Sequence, residues 1–298
     1  MAKYGLRRIT TVPVLLFILL GGLAAGLYAA PSGPEVRSAL ALVVDRHTGQ
    51  RLYAKNPRTL APIASITKLM SAMVVLDSAI ALDKRLVITA QDVDLERGSH
   101  SRLRLGSSLT VREALQVALM SSENRAASAL ARAYPGGTAA FVAAMNRKAR
   151  SLGMQDTRFV DSTGLSSDNT STAEDLVLMV EAASGYALIS EMTTRAAYLL
   201  GGRDRAPGLP YRNTNVLVRN DGWSIGLSKT GYIKESGRCL VMSARIAGRP
   251  LAIVLLGAQG KLTPVGDANR IRRWVERQAG SVSSGQHGSG GGVLVHAH

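Results

Sequence analysis

The stretch Pro62-Ile63-Ala64-Ser65-Ile66-Thr67-Lys68-Leu69-Met70 sets a hydroxyl three residues ahead of an amine in an otherwise apolar run. Leu69, Met70, Met73 and Val74 continue it as an apolar stripe, which predicts a helix from about Ser65 to Asp77. Positions i and i+3 share one helical face, so the Lys68 amine comes within reach of the Ser65 hydroxyl. Apolar neighbours disfavour the ammonium form, and a lysine that has given up its proton can act as the base for a serine nucleophile. Taken alone, Ser-x-x-Lys arises often by chance and reads first as an N-cap followed by a surface lysine.

Two further groups lie downstream. Ser122-Glu123-Asn124 follows an apolar helix for which Thr110 and Glu113 form a capping box, with Ala114, Leu115, Ala118 and Leu119 turned inward. Lys229-Thr230-Gly231 sits in the first strand-like run after the helical middle of the chain. Each alone reads as a helix-terminal polar cluster or a charged strand residue before a turn glycine. All three together, in this order and with these separations, are much less expected by chance.

The strand signals lie at both ends. Ala39 to Val44 and Gln50 to Lys55 flank the turn Asp45-Arg46-His47-Thr48-Gly49, and Cys239 to Ile246 and Leu251 to Leu256 flank Gly248-Arg249-Pro250. Helical patterns and turns such as Asp161-Ser162-Thr163-Gly164 fill the middle, and Asp267 is expected to open an amphipathic helix through Ile271, Trp274 and Val275. This predicts an α/β (α+β) fold, one antiparallel sheet built from both chain ends, with flanking helices and an inserted, mainly helical lobe over about 91–205. The expected domain spans 37–278, after a linker at 30–36 and before a Gly/Ser/His-rich flexible tail at 279–298. Lys3, Arg7 and Arg8 precede an apolar stretch from Val12 to Leu27 and the small residues Ala29 and Ala30, the pattern of a secretory signal over 1–29.

Composition narrows the chemistry. Of five histidines, three lie in the tail and His47 in a turn, which leaves only His100 as a weak triad candidate. The single cysteine, Cys239, forms no intramolecular disulfide and reads as a small buried strand residue. No cluster of histidines and carboxylates has metal-ligand spacing, and no metal or organic cofactor is expected. The net charge is +15, favouring anionic partners, yet the basic residues are dispersed and aromatics make up only 4%. Base stacking therefore has few candidates, and a nucleic-acid partner also conflicts with an export signal. A membrane surface or an acidic polymer remains as a match to this charge.

The three motifs together resemble those of penicillin-binding proteins and class A β-lactamases. The longer stretches Ala118-Leu119-Met120-Ser121-Ser122-Glu123-Asn124 and Leu227-Ser228-Lys229-Thr230-Gly231 resemble the low-molecular-mass D-alanyl-D-alanine peptidases, as does Leu152-Gly153-Met154 through Ser171-Thr172-Ala173-Glu174-Asp175-Leu176. Arg212-Asn213-Thr214-Asn215 and Gly237-Arg238-Cys239-Leu240-Val241-Met242 are similar to the periplasmic endopeptidases of that group. The resemblance covers about residues 37–278.

It implies a β-lactamase/transpeptidase-like fold, with Ser65 as nucleophile and Lys68 as its base. It also implies Ser122 as relay to the leaving amine and Asn124 as a holder of Lys68 and the substrate amide. Lys229 and Thr230 would bind the substrate's terminal region, Gly231 would keep the strand edge open, and the backbone N–H groups of Ser65 and Tyr232 would form the oxyanion hole. The implied substrates are peptide cross-links of peptidoglycan in the periplasm, with β-lactams as covalent inhibitors. Terminal D-alanine trimming is the alternative, and a non-catalytic muropeptide-binding module a third reading. Phe159 to Thr172 holds Asp161 and Asp168 but no Glu to activate a deacylating water, which argues against β-lactam hydrolysis. A tail without an amphipathic anchor argues against stable membrane attachment.

Overall fold

The computed structural model describes Met1 and residues 33–285, except 79, 96 and 202–207. The signal-like segment and the last residues of the tail lie outside that range. Strands β1 (Leu40–Asp45) and β2 (Arg51–Lys55) form the first hairpin, followed by a two-residue strand β3 (Ala61–Pro62) and helix α1 (Thr67–Leu76). Next come β4 (Arg85–Val87), β5 (Ser108–Thr110), α2 (Val111–Ser121), α3 (Asn124–Arg132), α4 (Gly137–Ser151), β6 (Thr170–Ser171), α5 (Ala173–Ser184) and α6 (Ala187–Thr194). The chain continues with β7 (Ala197–Leu200), β8 (Leu209–Arg212), β9 (Ser224–Ile233), β10 (Gly237–Ile246), β11 (Arg249–Ala258) and α7 (Thr263–Gly285).

The main sheet has the order β2-β1-β11-β10-β9, every pair antiparallel. It joins both ends of the described chain, as the end-loaded strand signals predict. β1 and β11 are apolar on both faces because both are covered. Leu42, Val241 and Val254 pack against the helices of the middle segment, while Val43, Met242 and Ile253 pack under Ile271, Trp274 and Val275 of α7. β9 lies at the edge of the sheet, with one side free of strand pairing.

Four details differ from the sequence reading. Ser65 is not in α1 but in a tight 3₁₀ turn, Ala64–Ile66, because Ala64 takes a left-handed conformation (φ 45°) and breaks the α geometry. Helix α7 starts at Thr263, not Asp267, because Pro264 falls in the first turn, where its missing N–H costs no hydrogen bond. The same helix runs to Gly285, past the expected end of order at 278. The β10–β11 turn is only Ala247-Gly248, both at positive φ (48° and 78°), so Arg249 and Pro250 already belong to β11. The β3–β6, β4–β5 and β7–β8 ladders are too short for alternation to reveal them.

Candidate active site

Ser65 is presented by backbone strain and close packing. Ala64 at φ 45° is costly for a non-glycine residue, and its neighbours hold it there. A Cβ on Gly164 (φ 82°) would fall 1.9 Å from the Ala64 carbonyl oxygen, and one on Gly231 would fall 2.9 Å from the Ile63 carbonyl oxygen. Two glycines from distant segments therefore let the loop at 161–166 and strand β9 close on the turn from either side. Gly231 is also what brings β9 against the Ser65 amide; its Cβ position lies 3.2 Å from that nitrogen.

Lys68 is only 1% exposed and makes three hydrogen bonds. Its Nζ lies 2.8 Å from Ser65 Oγ, 2.7 Å from Asn124 Oδ1 and 2.6 Å from the Thr163 carbonyl oxygen. Burial pushes its pKa down to about 7, against the opposing pull of the Asp161 and Glu123 charges. A neutral amine has two N–H groups and one lone pair. Asn124 Oδ1 and the Thr163 carbonyl can only accept, so they take the N–H groups and leave the lone pair facing the Ser65 hydroxyl. In its neutral form Lys68 would face the Ser65 hydroxyl with that lone pair.

The second motif stands at a helix corner. Ser122 ends α2 in the left-handed region (φ 62°), and the Glu123 carboxylate caps α3 by accepting from the Arg125 amide. This corner turns Ser122 toward the sheet and Asn124 toward Lys68. Lys229 Nζ on β9 donates to Ser122 Oγ at 3.0 Å and to its neighbouring Thr230 carbonyl at 2.8 Å. Lys229 is also 1% exposed, and burial followed by the Lys68 charge drives its pKa well below the ordinary lysine value. A positive charge at Lys229 is thus opposed by its surroundings. Thr230 Oγ1 donates to Thr214 Oγ1 at 2.6 Å, and the Arg238 guanidinium stacks 3.8 Å over the Tyr232 ring.

Ser65, Lys68, Ser122, Asn124, Lys229 and Thr230 come together here, beside a cavity of about 410 Å³ lined by Ser65, Ser122, Asn124, Thr230, Gly231 and Tyr232 among others. Several supporting residues were not legible in the sequence. Asp161 accepts from the Thr163 amide and hydroxyl and from the Gly164 and Ser166 amides, fixing the loop that offers Thr163 to Lys68. Asn124 Nδ2 donates to Ser99 Oγ at 2.9 Å, which locks its amide orientation. Arg97 donates to the Leu165 carbonyl and pairs with Glu235 at 2.9 Å, linking the 94–104 segment to the β9–β10 hairpin. Asp-Ser-Thr-Gly, with its Asx-turn composition, was the one available signal for the first of these.

Other candidates fall away. His47 and His100 are exposed. Cys239 is buried, and burial pushes its thiol up to about 11, which makes it inert. Asp168 is exposed, and Glu174 pairs with Arg51 at 2.8 Å and with Arg58, so neither is placed as a deacylation base.

An antiparallel sheet and helical segments enclosing a serine–lysine pair define the fold of the penicillin-binding DD-peptidases and transpeptidases. The model for the D-alanyl-D-alanine carboxypeptidase family matches residues 28–260. The chain belongs to that family and is a serine-type peptidase. It is 50% identical over 246 residues to a D-alanyl-D-alanine endopeptidase of Pseudomonas aeruginosa, covering 83% of this chain and 79% of that one. The corresponding endopeptidase of Escherichia coli is 46% identical, covering 82% and 79%. Among solved structures, the Streptomyces K15 DD-transpeptidase superposes with a TM-score of 0.75 at 26% identity, covering 82% of this chain and 98% of that one. Penicillin-binding protein D2 from Listeria monocytogenes in its cefotaxime-bound form gives 0.70 at 26% identity, covering 80% and 97%.

Proposed function

We propose that this protein is a DD-endopeptidase that cuts D-alanyl cross-links in peptidoglycan through an acyl-enzyme on Ser65. The observation that carries the reading is the buried Lys68 Nζ 2.8 Å from Ser65 Oγ, on an amine whose pKa burial lowers to about 7. Lys68 takes the hydroxyl proton as Oγ bonds to the D-alanyl carbonyl carbon. The backbone N–H groups of Ser65 and Tyr232 hold the developing oxyanion. As the C–N bond breaks, Ser122, which accepts from Lys229 Nζ at 3.0 Å, passes its proton to the departing nitrogen and regains the one that Lys68 took from Ser65. Water then cleaves the ester, returning the proton to Ser65 and releasing the D-alanyl acid. Asn124 keeps Lys68 in place, while Lys229 and Thr230 receive the leaving side of the substrate.

The same attack on a β-lactam carbonyl yields a covalent penicilloyl enzyme. The cefotaxime-bound relative supports β-lactams as inhibitors. The two relatives of highest identity above, both named endopeptidases, favour cross-links over terminal D-alanine as the preferred bond. Trimming of pentapeptides is the second reading, favoured by the family's own description and by more distant relatives such as the Bacillus subtilis carboxypeptidase at 33% identity. The substrate and the signal-like residues 1–29 together support action outside the cytoplasm, in the periplasm.

Purified protein, with Ser65→Ala alongside, is to be incubated with cross-linked muropeptide dimers and with monomeric pentapeptides, products read by mass. Dimers converted to monomers only by the Ser65 form is the expected result. Loss of a single D-alanine from pentapeptides with dimers untouched would make the protein a carboxypeptidase instead.

A further inference from the structure

The cavity over Ser65 also reaches two cations that the acyl-transfer steps leave unused, Arg238 and Lys261. Arg238 lies on β10 and pairs across the ladder with Tyr232 of the edge strand β9, next to Gly231. Its guanidinium carbon stands 3.8 Å over the centre of the Tyr232 ring, itself 53% exposed. Stacking occupies the flat face of a guanidinium and leaves the N–H fork around its rim able to donate. Among the described residues no oxygen takes a hydrogen bond from that fork. The carboxylate closest to it in sequence, Glu235, is engaged by Arg97 at 2.9 Å. Lys261, exposed just before α7, adds a second positive charge on the same cavity.

A planar cation held on an aromatic face, with its fork open to the cavity that contains the nucleophile, suits bidentate capture of a carboxylate. Ser122 and Thr230 line this cavity too, so it is the space into which the leaving half of the substrate extends. A departing alanine brings one carboxylate, beside the scissile nitrogen and within the province of Thr230. A departing peptide strand brings further carboxylates beyond it. We propose that Arg238, stacked on Tyr232 and assisted by Lys261, captures a carboxylate of the leaving peptide strand and so selects acidic, cross-linked leaving groups over a lone alanine. This rests on the DD-peptidase reading above and deepens it.

The test compares muropeptide dimers whose leaving-strand carboxylates are free with the same dimers amidated, using wild type, Arg238→Gln and Arg238→Lys. Rates are referred to the fraction of each protein titrated by a fluorescent penicillin, so that misfolded molecules drop out. Wild type should prefer the free acid by about tenfold in kcat/KM, expressed in KM, the order expected of one charge-assisted hydrogen bond. Arg238→Gln should show no preference, and Arg238→Lys a partial one. Equal cleavage of both dimers by wild type, or an undiminished preference in Arg238→Gln, overturns the inference and leaves the peptidase reading standing. A wild type that titrates with penicillin yet cleaves neither dimer overturns that reading, and the inference with it.

Discussion

Lys68 has three hydrogen-bond partners, two of which can only accept, and this asymmetry directs its chemistry. Only the neutral amine offers a lone pair to Ser65, so acylation should follow its titration. Below pH about 7 the rate of penicillin acylation should rise roughly tenfold per pH unit, and above it should level off. A profile flat from pH 5 to 9 would mean that another group takes the proton. The turn that presents Ser65 makes a second demand. Gly164→Ala would drive a methyl group into the Ala64 carbonyl at a positive φ. It should cost at least about 2 kcal/mol in urea unfolding and about 100-fold in acylation, since misplacing a nucleophile by an ångström has that scale of effect. Unchanged acylation would show that the turn tolerates displacement. Ser65, Lys68, Ser122, Asn124, Lys229 and Thr230 were all legible, because each motif is contiguous and carries chemistry in its side chains. Thr163 was not, because it serves Lys68 through a backbone carbonyl 95 residues away, which leaves no mark in residue type.

Among the elements, α7 shows how a correct helix can be given the wrong start. Asp267 looked like a helix opener, yet it lies inside the helix with a fully buried carboxylate. That carboxylate accepts from the Arg37 and Ser38 amides and the Ser38 hydroxyl, and it pairs with Arg270. It therefore ties the chain entering β1 to the helix that covers the sheet. These hydrogen bonds hold its pKa below the ordinary 3.8 despite burial, which raises it. A depressed carboxylate pKa stabilises the fold fully above about pH 4 and less as pH falls below that, through the folded value. Asp267→Ala strands four donors and should cost about 3 kcal/mol in urea at neutral pH, with the deficit shrinking towards pH 3. A deficit that stays constant over that range would mean the charge contributes nothing. The long elements were legible because apolar periodicity runs through them. The short ladders β3–β6 and β7–β8 were not, since two to four residues carry no period and their pairing depends on contacts far along the chain.

For the molecule as a whole, strand signals at both ends were enough to anticipate a shared sheet, because a central strand such as β11 must find neighbours to satisfy its backbone. Where the cleft lies was not legible. It depends on β9 being the edge strand and on Gly231 and Gly164 admitting two other segments to the Ser65 turn. The same arrangement sets the fate of a bound β-lactam. Asp161 is consumed by four donors, Asp168 faces solvent, and Glu174 is paired with arginines, so none of these three carboxylates stands ready to activate water. Purified protein should therefore turn over nitrocefin slowly after one rapid equivalent, and fast multiple turnover would point to a base not identified among these residues. The most direct single measurement is to treat the protein with benzylpenicillin, then take the intact mass and map the modified peptide. One persistent adduct per chain, on the peptide that contains Ser65 and absent from Ser65→Ala, is the expected result. An adduct elsewhere, or none in protein that is folded by circular dichroism, would contradict the assignment of Ser65 as the nucleophile.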